Sequence, residues 1–422
     1  MLDIKLVREN PKLVRENNKK RGYEVKLIDD ILEIDEKWRK LKLDGDKIRS
    51  ERNKVSQEIN NAKKSKDEKQ AKKLIQKAQK IPIKLTKNQN KERQLKKELD
   101  DLLAQIPNIQ ADDVPTGGEQ DYKLVSKSGR IPKIKNPKSH LELGKALDII
   151  DIQSATKISG AGFYILKGKG AALQRALVQF MLDFHTKHGL LEINPPQLVL
   201  EKTAFGTGNL PKFKDDLYKT RDDLILIPTA EVPVTNIYAD EVLREKDLPK
   251  KFCAFTECYR TEAGRRVGEE GLFRLHQFEK VEMVYICKEE ESWELLEEMT
   301  KNAEEILKQL ELPYRKIILA TADASFASTK TYDLETWSPA MNKYLETSSV
   351  SNCLDFQARR MNTRYQSKSG IKFTHTLNGS GLALPRLMIS LIENNQQPDG
   401  SIKIPKALHK YTSFKEIRAE KE

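Results

Sequence analysis

The stretch "CYRTEAGRRVGEEGLFRLHQFEKVEM", residues 258–283, joins two segments with the alternating pattern of β-strands through a turn rich in glycine and charge. Its charged residues include Arg260, Glu262, Arg274, Glu279 and Glu282. Charges on neighbouring strands are costly to bury without partners. The two strands therefore carry either structural ion pairs or the floor of a site that meets a charged ligand.

The sequence beyond residue 121 consists of short strand-like segments, with helical segments in separate blocks. The strand-like runs include "DLILIP", "YRKIILA", "YDLETWSP" and "NKYLETSSVSN", and the helical runs are 171–188 and 291–310. This arrangement favours an α+β fold built on an antiparallel sheet. Neither GxGxxG nor GxxxxGK[ST] occurs, so a bound nucleotide would not use a Rossmann or P-loop cradle.

The N-terminal quarter has a different period. Apolar residues repeat in heptads over 27–62 and again over 71–106, with the polar "KKSKDEK" between them. Two long amphipathic helices joined by a polar tip predict an antiparallel two-helix coiled-coil arm. The exceptions to the two apolar stripes are Gly45, Arg52, Asn88 and Glu92. Pro82 lies inside the return helix, where we expect a kink or a short break.

Charge is concentrated in this arm. Residues 1–110 hold 30 lysines and arginines against 19 acidic residues, which accounts for 11 of the net +12 of the chain. This surplus of positive charge favours an arm that binds nucleic-acid phosphates. The alternative is a solvated coiled coil that serves as a spacer or dimerisation element. The candidate phosphate-binding lysines crowd the tip: Lys63, Lys64, Lys66, Lys69, Lys72 and Lys73.

A loop rich in Pro, Gly and Asp, residues 106–121, separates the two regions. We therefore expect an arm domain at 1–108 and a second domain, of α+β type, at 109–422. The four cysteines form no CxxC pair, so no zinc site is expected. No apolar run is long enough for a membrane span, and the N-terminus lacks the apolar core of a secretory signal. A cytoplasmic protein without membrane contact is the prediction.

Polar residues recur on several of the predicted strands. "PTAEVPV" places Thr229 and Glu231 on one face if it is a strand, "LETSS" offers Glu346 and three hydroxyls, and "HTLNGSGLALPR" leads from a polar turn into a helix with Arg386. Carboxylates can take an ammonium or Mg²⁺, and arginines can neutralise phosphate. The mixture favours a nucleotide-dependent ligase over structural salt bridges.

Five motifs, in order along essentially the whole chain, resemble those of the seryl-tRNA synthetases, a class II aminoacyl-tRNA synthetase family. They are the basic arm, "NPPQLVLEKTAFGTGNLPKF" (194–213), "CYRTEAG…GLFRLHQFEKVEM", "DLETWSPAMNKYLETSSVSNCLDFQARR" and "LNGSGLALPRLMISLIEN". The resemblance implies a class II antiparallel-sheet catalytic domain preceded by a tRNA-binding arm. It implies an enzyme that makes seryl-adenylate from L-serine and MgATP and transfers the seryl group to tRNA(Ser).

The resemblance also assigns roles to single residues. Arg260 and Arg386 are the implied catalytic residues, and Glu346 and Ser349 the implied Mg²⁺ ligands. The implied serine-binding residues are Thr229, Ala230, Glu231, Arg260, Glu282, Asn378 and Ser380. The implied ATP-binding residues are Arg260, Thr261, Glu262, Leu275, Phe278, Glu346, Thr347, Ser348, Ser349 and Arg386. In this scheme Phe278 and Arg386 sandwich the adenine, and Glu282 accepts hydrogen bonds from the serine ammonium and hydroxyl.

Pro196 resembles the first-motif proline at the dimer interface, so a homodimer is expected. Whether tRNA(Sec) is charged as well is left open. The chain departs from the family pattern in a short, charged loop at 265–270, which puts the efficiency of transfer in doubt, and in Asn209 and Pro385. Two other functions are alternatives to this one. An amino acid:carrier ligase would lack the long arm, and a non-catalytic RNA-binding descendant would have lost residues such as Arg260 or Glu282.

Overall fold

The computed structural model describes residues 1–262 and 271–419, and these form two compact units. One unit is Leu2–Pro107, and the other runs from Asn108 onward and includes Met1. The short charged loop predicted at 265–270 lies outside the described residues. No helix in the described part of the chain has the length and apolar character needed to cross a membrane.

The arm unit is helical. Its helices are α1 (Ile4–Glu9), α2 (Pro11–Lys20), α3 (Leu27–Lys64) and α4 (Glu68–Leu103). The long helices α3 and α4 pack along each other as the predicted antiparallel hairpin, and the Asp67 side chain caps α4 by accepting from Gln70 N–H. Of the kink or short break expected at Pro82, the break is wrong, because α4 is continuous through that residue. Its neighbour Ile81 is 3% exposed, and such packing offsets one lost backbone hydrogen bond in a long helix.

Two exceptions to the apolar stripes meet inside the hairpin. A β-carbon at Gly45 would lie 2.6 Å from Oδ1 of Asn88, so the small residue leaves room for the amide. Asn88 Nδ2 donates to the carbonyl of Leu41 at 3.1 Å. A buried polar residue in a coiled coil favours one register over the alternatives, which is the role that we assign to this pair.

The second unit contains eight further helices within its described residues: α5 (His140–Ala146), α6 (Ile152–Ser159), α7 (Gly168–Lys187), α8 (Glu201–Thr207), α9 (Glu231–Thr235), α10 (Ser292–Gln309), α11 (Phe356–Met361) and α12 (Leu384–Asn394). Its strands are β1 (Lys123–Ser128), β2 (Ile150–Asp151), β3 (Ile165–Leu166), β4 (Leu191–Glu192), β5 (Leu198–Val199), β6 (Ile225–Leu226), β7 (Val242–Arg244), β8 (Lys250–Tyr259), β9 (Gln277–Cys287), β10 (Tyr314–Ile318), β11 (Lys330–Ser338), β12 (Lys343–Leu354), β13 (Arg364–Ser367), β14 (Gly370–Phe373), β15 (His375–Ala383), β16 (Ile402–Lys403) and β17 (Glu416–Ile417).

The main sheet has the strand order β1-β10-β11-β12-β15-β9-β8-β4. Its neighbours are antiparallel except for the edge pair β4 and β8, which is parallel. A smaller sheet has the order β14-β13-β7, and short two-stranded pairs join β2 to β3, β5 to β6 and β16 to β17. The α+β class with an antiparallel sheet is confirmed.

The two faces of β15 separate the core from the polar site. β-carbons at Gly379 and Gly381 would touch Met299 of α10 and His185 of α7, so these positions face the helices. Side chains alternate along a strand, and Asn378 and Ser380 therefore face the other side. The core cluster joins α7, α10 and α12 to the sheet, with fully buried residues such as Leu177, Ile306 and Leu391.

Candidate active site

The charged residues of the opening stretch lie just beyond the strand ends rather than on the strands. Strand β8 ends at Tyr259 and β9 begins at Gln277, so the expectation that Arg260, Glu262 and Arg274 are strand residues is wrong. Arg260 N–H donates to the carbonyl of His276 at 2.9 Å, which closes the end of the strand pair. Glu262 pairs with Arg274 Nη1 at 3.0 Å.

An open cleft forms where these strand ends meet the start of α12, with an empty volume of about 590 Å³. It brings together two arginines, a carboxylate and an aromatic ring that the sequence singled out: Arg260, Arg386, Glu346 and Phe278. The complete lining is Arg260, Glu262, Leu272, Phe273, Arg274, Leu275, Phe278, Lys280, Glu346, Thr347, Ser380, Ala383, Pro385 and Arg386.

Two arginines of the cleft, Arg260 and Arg386, each lie over an aromatic ring. The Arg260 guanidinium is 5.1 Å from the centre of the Phe278 ring, and that of Arg386 is 5.1 Å from the centre of the Phe273 ring. Arg386 Nε also donates to the Phe273 carbonyl at 3.3 Å, and its Nη1 donates to Glu346 Oε2 at 2.9 Å. These contacts hold the cations over apolar surface while leaving them next to the cleft. Phe273 was not singled out from the sequence.

A second group of polar residues surrounds Glu282, which is 1% exposed. Glu282 Oε2 accepts from Thr229 Oγ1 at 3.3 Å and lies 2.5 Å from Lys280 Nζ. Ser380 is its register partner across β15 and β9. Lys280 also lines the cleft, so this one side chain connects the cleft to the buried carboxylate. Sequence reasoning missed Lys280, although the alternation of β9 places it on the same face as Phe278 and Glu282.

Glu279, the remaining acid of the opening stretch, belongs to the other face of β9. Its Oε2 accepts from the Tyr164 hydroxyl at 2.6 Å. Alternation along the strand separates it from Glu282, three residues away. Glu279 is therefore a structural residue in this arrangement.

Glu231 is the first residue of the short helix α9, so the condition that "PTAEVPV" is a strand, with Thr229 and Glu231 on one face, is not met. Its two carboxylate oxygens accept from Gln357 Nε2 at 2.7 Å and Asn378 Nδ2 at 3.1 Å. Burial raises the pKa of Glu231 to about 7, and the nearby charge of Glu282 adds to the effect. Gln357, which the sequence did not indicate, fixes the position of this acid.

Acidic residues of β11 and β12 lie near Arg260 and Arg386 of the cleft. Burial acts to raise the pKa of Glu346, but the positive charges of Arg386 and Arg260 outweigh it and lower that pKa. Burial raises the pKa of Asp333 well above its usual range, and Glu346 adds to the effect. Ser349 is the register partner of Asp333 and hydrogen-bonds to it. No group of three or more His, Cys, Asp and Glu side chains is arranged to hold a metal within residues 1–262 and 271–419.

Three other hydroxyls predicted for ATP binding donate to backbone carbonyls. Thr347 Oγ1 donates to Leu334 O at 2.9 Å, Ser348 Oγ to Ser380 O at 2.6 Å, and Thr261 Oγ1 to Asp215 O at 2.7 Å. These bonds hold neighbouring elements together. Only Thr347 of the three also lines the cleft.

The segment 375–383 is strand β15, so the polar turn expected there is wrong. The register of β15 brings Asn378 to Glu231 and Ser380 to Glu282. Ala230 is fully buried beside Thr229. The serine-side residues predicted from separate segments therefore converge behind the cleft.

The remaining predicted residues are on the surface of their units. All six tip lysines are exposed: Lys63, Lys64, Lys66, Lys69, Lys72 and Lys73. Pro196 is exposed in the second unit, close in sequence to the exposed Leu191, Leu198 and Leu200. Clustered exposed apolar residues of this kind often mark a protein interface.

Two family models match the chain. Residues 1–110 match the seryl-tRNA synthetase N-terminal domain, and residues 212–395 match the tRNA synthetase class II core domain (G, H, P, S and T). The serine–tRNA ligase of Thermotoga neapolitana is 45% identical over 425 residues, covering 99% of this chain and 100% of that protein.

Two solved structures are similar over the whole chain. The seryl-tRNA synthetase from Pyrococcus horikoshii, complexed with ATP, has a TM-score of 0.94 and 37% identity, with 100% of both chains covered. The cytoplasmic serine–tRNA ligase from Naegleria fowleri, in complex with AMP, has a TM-score of 0.89 and 30% identity, covering 100% of this chain and 99% of that chain.

Proposed function

This chain belongs to the seryl-tRNA synthetase family and is a serine–tRNA ligase, and we propose that its cleft and the pocket around Glu282 together make seryl-adenylate. The observation that carries this proposal is Lys280, which lines the cleft and lies 2.5 Å from Glu282. It connects a cationic, aromatic-walled cleft suited to a nucleotide with a buried carboxylate suited to an ammonium. The two substrates would therefore meet at this lysine.

On the nucleotide side, the adenine would lie against Phe278 and Arg386, beside Leu275 and the Glu262–Arg274 pair. The guanidinium groups of Arg260 and Arg386 would neutralise the phosphates. Arginines already held over aromatic rings need little reorganisation when charge develops, and such preorganisation is a large part of catalysis. Thr261, Thr347 and Ser348 would contribute by fixing the backbone around the nucleotide.

On the amino-acid side, Glu282 would accept hydrogen bonds from the ammonium and the hydroxyl of L-serine, with Thr229 and Ser380 beside it. Glu231 and Asn378 would complete the ammonium site, with Ala230 as its apolar wall. A site built around a substrate hydroxyl rejects an analogue that lacks it, because the acceptor is then left under-satisfied. Serine would therefore be preferred over alanine.

In the first step, a carboxylate oxygen of serine attacks the α-phosphorus of ATP. A new P–O bond forms, and the bond to the β-phosphate oxygen breaks, which releases pyrophosphate. The serine carboxylate is already ionised near neutral pH, so no general base is required. Arg260 would orient the carboxylate and stabilise the charge on the α-phosphate.

Mg²⁺ fits the residues of β12. Glu346 and Ser349 offer a carboxylate and a hydroxyl, and Mg²⁺ in nucleotide sites is commonly bound by one or two carboxylates together with substrate phosphates. When bound, the ion would neutralise and orient the phosphates. Arg386 hydrogen-bonds to Glu346 and so would hold this carboxylate at the edge of the phosphate site.

In the second step, the 3′ end of tRNA(Ser) would take the seryl group. The exposed lysines of the tip of the α3–α4 hairpin would contact phosphates of the long variable arm, so that shape is recognised more than base sequence. Charging of tRNA(Sec) can be tested in the same assay. A homodimer formed through the surface around Pro196 and a cytoplasmic location complete the proposal.

The test is serine-dependent ATP–pyrophosphate exchange on the purified chain, without tRNA. We expect exchange with serine and little with alanine, threonine or cysteine. The proposed site is supported if the parent protein shows exchange with serine and Arg260→Ala abolishes it. Equal exchange with serine and alanine would contradict the proposed role of Glu282 in selecting serine. The absence of exchange with every amino acid would contradict a first step that is independent of tRNA.

A further inference from the structure

A buried hydrogen-bond network connects α12 to the nucleotide side of the cleft through a histidine that has no assigned role. At its centre is Glu393, which is fully buried. Its Oε1 accepts from the backbone N–H and from Nδ1 of His140, both at 3.0 Å, and its Oε2 accepts from Ser338 Oγ and from Ala340 N–H. Four donors occupy the carboxylate, which is what a buried carboxylate requires.

The His140 ring has a defined orientation and proton position. Nδ1 faces the Glu393 carboxylate, and Nε2 accepts from Leu272 N–H at 3.4 Å. Since Nε2 accepts from Leu272 N–H, the ring proton that Glu393 receives as a hydrogen bond is on Nδ1. His140 is 4% exposed at the start of α5, where the Ser139–Glu142 capping box fixes the backbone. The ring therefore transmits the position of Glu393 to the backbone of Leu272.

Helix α12 holds the cleft wall at two adjacent residues. Arg386 Nε donates to the carbonyl of Phe273, and Glu393 reaches Leu272 N–H through His140. Arg386 and Glu393 are seven residues apart, so they lie on the same side of the helix, two turns from each other. The backbone is thus held at the N–H of Leu272 and at the carbonyl of Phe273, the first through His140 and the second directly by Arg386 of the same helix.

Gly271 shows how closely this wall fits against His140. Its φ is +71°, and a β-carbon there would lie 2.7 Å from His140 Nε2 and 2.8 Å from Leu141 Cδ2. Any side chain at this position would push against the imidazole. The backbone can approach the ring only because the residue is glycine.

We propose that His140 is a positioning residue for ATP: held by Glu393, it sets the backbone of Leu272–Leu275 and thereby the nucleotide wall of the cleft. This inference rests on the proposed function, because it takes the cleft to be the ATP site. Phe273, Arg274 and Leu275 all line that cleft. The serine-side contact between Thr229 and Glu282 involves none of these residues. Loss of the His140 contact should therefore affect ATP and leave serine binding unchanged.

The experiment compares two substitutions that each keep one half of the histidine. In His140→Asn the amide takes the place of Nδ1 and can still donate to Glu393, but nothing reaches Leu272. In His140→Gln the amide oxygen takes the place of Nε2 and can still accept from Leu272, but the donor to Glu393 is lost. We measure KM for ATP and for serine by pyrophosphate exchange, thermal stability, and hydrogen exchange of a peptide covering 271–278.

We expect His140→Asn to raise KM for ATP roughly 5- to 10-fold, as for loss of one hydrogen bond that orients a binding wall, with KM for serine within about twofold of the parent. Hydrogen exchange at 271–278 should accelerate. His140→Gln should lose thermal stability and raise KM for ATP by less than His140→Asn does, because its amide oxygen can still accept from Leu272 N–H although Glu393 no longer holds it. His409→Asn is the matched control, since His409 Nε2 contacts only Ile404 O among the hydrogen bonds of its ring and lies outside the cleft.

Equal increases in KM for both substrates, or an unchanged KM for ATP in a folded His140→Asn protein, would overturn the inference. If His140→Asn does not fold, Gly271→Ala tests the same contact from the other side and should raise KM for ATP selectively. Serine-dependent exchange by the parent protein distinguishes a failure of this inference from a failure of the proposed function. If the parent shows no serine-dependent exchange, the assignment of the cleft is wrong, whereas normal parent exchange with unaffected variants is evidence against the role of His140 alone.

Discussion

The β-carbon that Gly381 lacks would lie 2.4 Å from Nε2 of His185. Gly381 is the extra residue of a β-bulge between Ser380 and Leu382, where β15 passes from the serine side toward α12. Leu382 has a φ of +136°, a conformation that favours glycine, so the backbone is strained beside the site. The imidazole of His185 is fully buried behind this bulge, and burial lowers its pKa to about 3, which keeps it neutral. The fit of a ring against a glycine therefore supports the position of Ser380.

The first prediction concerns this fit. Gly381→Ala should destabilise the protein by about 1–3 kcal/mol, as is usual when a methyl group is forced into a packed interior. His185→Ala should make room for it, so Gly381→Ala should cost less in that background than in the parent. The measurement is a double-mutant cycle of denaturant midpoints, with KM for serine on each variant. If Gly381→Ala destabilises the parent and the His185→Ala protein equally, the His185 ring is not what restricts position 381 to glycine.

The second prediction concerns Arg260, the charge proposed to stabilise the α-phosphate. Arg260→Ala should reduce pyrophosphate exchange at least about 100-fold, the usual scale for removing one preorganised stabilising group. Arg244→Ala is the matched control, because that arginine is exposed and pairs only with Asp247 in the salt bridges of the described residues. Near-parental exchange in Arg260→Ala would contradict the catalytic role given to Arg260.

The third prediction compares two acids of one strand. Glu282→Ala should raise KM for serine and reduce the preference for serine over alanine, since no acceptor remains for the substrate hydroxyl. Glu279→Ala should leave that preference unchanged, because Glu279 contacts Tyr164 on the opposite face. The ratio of exchange rates with the two amino acids is the measurement. A preference that survives Glu282→Ala would mean that another group recognises the hydroxyl.

The fourth prediction is a pH dependence of serine binding. The raised pKa of Glu231, about 7, means that the acid is largely protonated below that pH in the free enzyme. An incoming ammonium favours the ionised form, so serine must displace a proton at low pH. KM for serine should fall as the pH rises toward about 7 and then level off, approaching a tenfold change per pH unit well below that value.

Glu231→Gln should remove most of this dependence, because the amide does not titrate. Its KM for serine should be high at every pH, while KM for ATP stays close to the parent value. A parent protein whose KM for serine is flat between about pH 6 and 8 would contradict the ammonium-binding role of Glu231, since the titration expected from its pKa would be absent.

The fifth prediction concerns the arm. Lys63→Gln combined with Lys64→Gln should raise KM for tRNA, spare pyrophosphate exchange, and reduce the slope of log affinity against log salt by about 1 to 2, one unit or less for each lost phosphate contact. The same pair of changes at Lys301 and Lys308, exposed on α10, is the control. Deletion of 30–100 should raise KM for tRNA further and likewise spare pyrophosphate exchange. Unchanged KM for tRNA in the deletion would reduce the arm to a spacer.

The arm shows how far a periodic sequence can be read. Its stripes predicted two long antiparallel helices, and α3 and α4 have that arrangement. The exceptions Gly45 and Asn88 could not be interpreted from the pattern alone, because nothing local says that they face each other. The break expected at Pro82 was wrong for a related reason: a local backbone cost was outweighed by packing along the whole hairpin.

In the candidate site, by contrast, the sequence predicted less of the local structure and of the contacts than it did in the arm. Thr229 and Glu231 would share one face on a strand, yet Glu231 begins a helix, and its position depends on Gln357 and Asn378 from distant segments. Phe273 and His140 were missed because no local pattern marks them, and their contacts with Arg386 and Glu393 exist only once distant segments are brought together. Lys280 was missed although the alternation of β9 places it on the same face as Glu282.

The amino-acid sequence by itself determined the α+β class, the basic coiled-coil arm and the family, because periodicity, charge and ordered motifs are properties of the chain itself. The tertiary structure decided which of the polar residues form the site. Strand register placed Glu282 toward the pocket and Glu279 away from it, since a shift of one residue reverses the face of every side chain. Burial then raised the pKa of Glu231 while Arg386 lowered that of Glu346, because the energy of a charge depends on neighbours that only folding supplies.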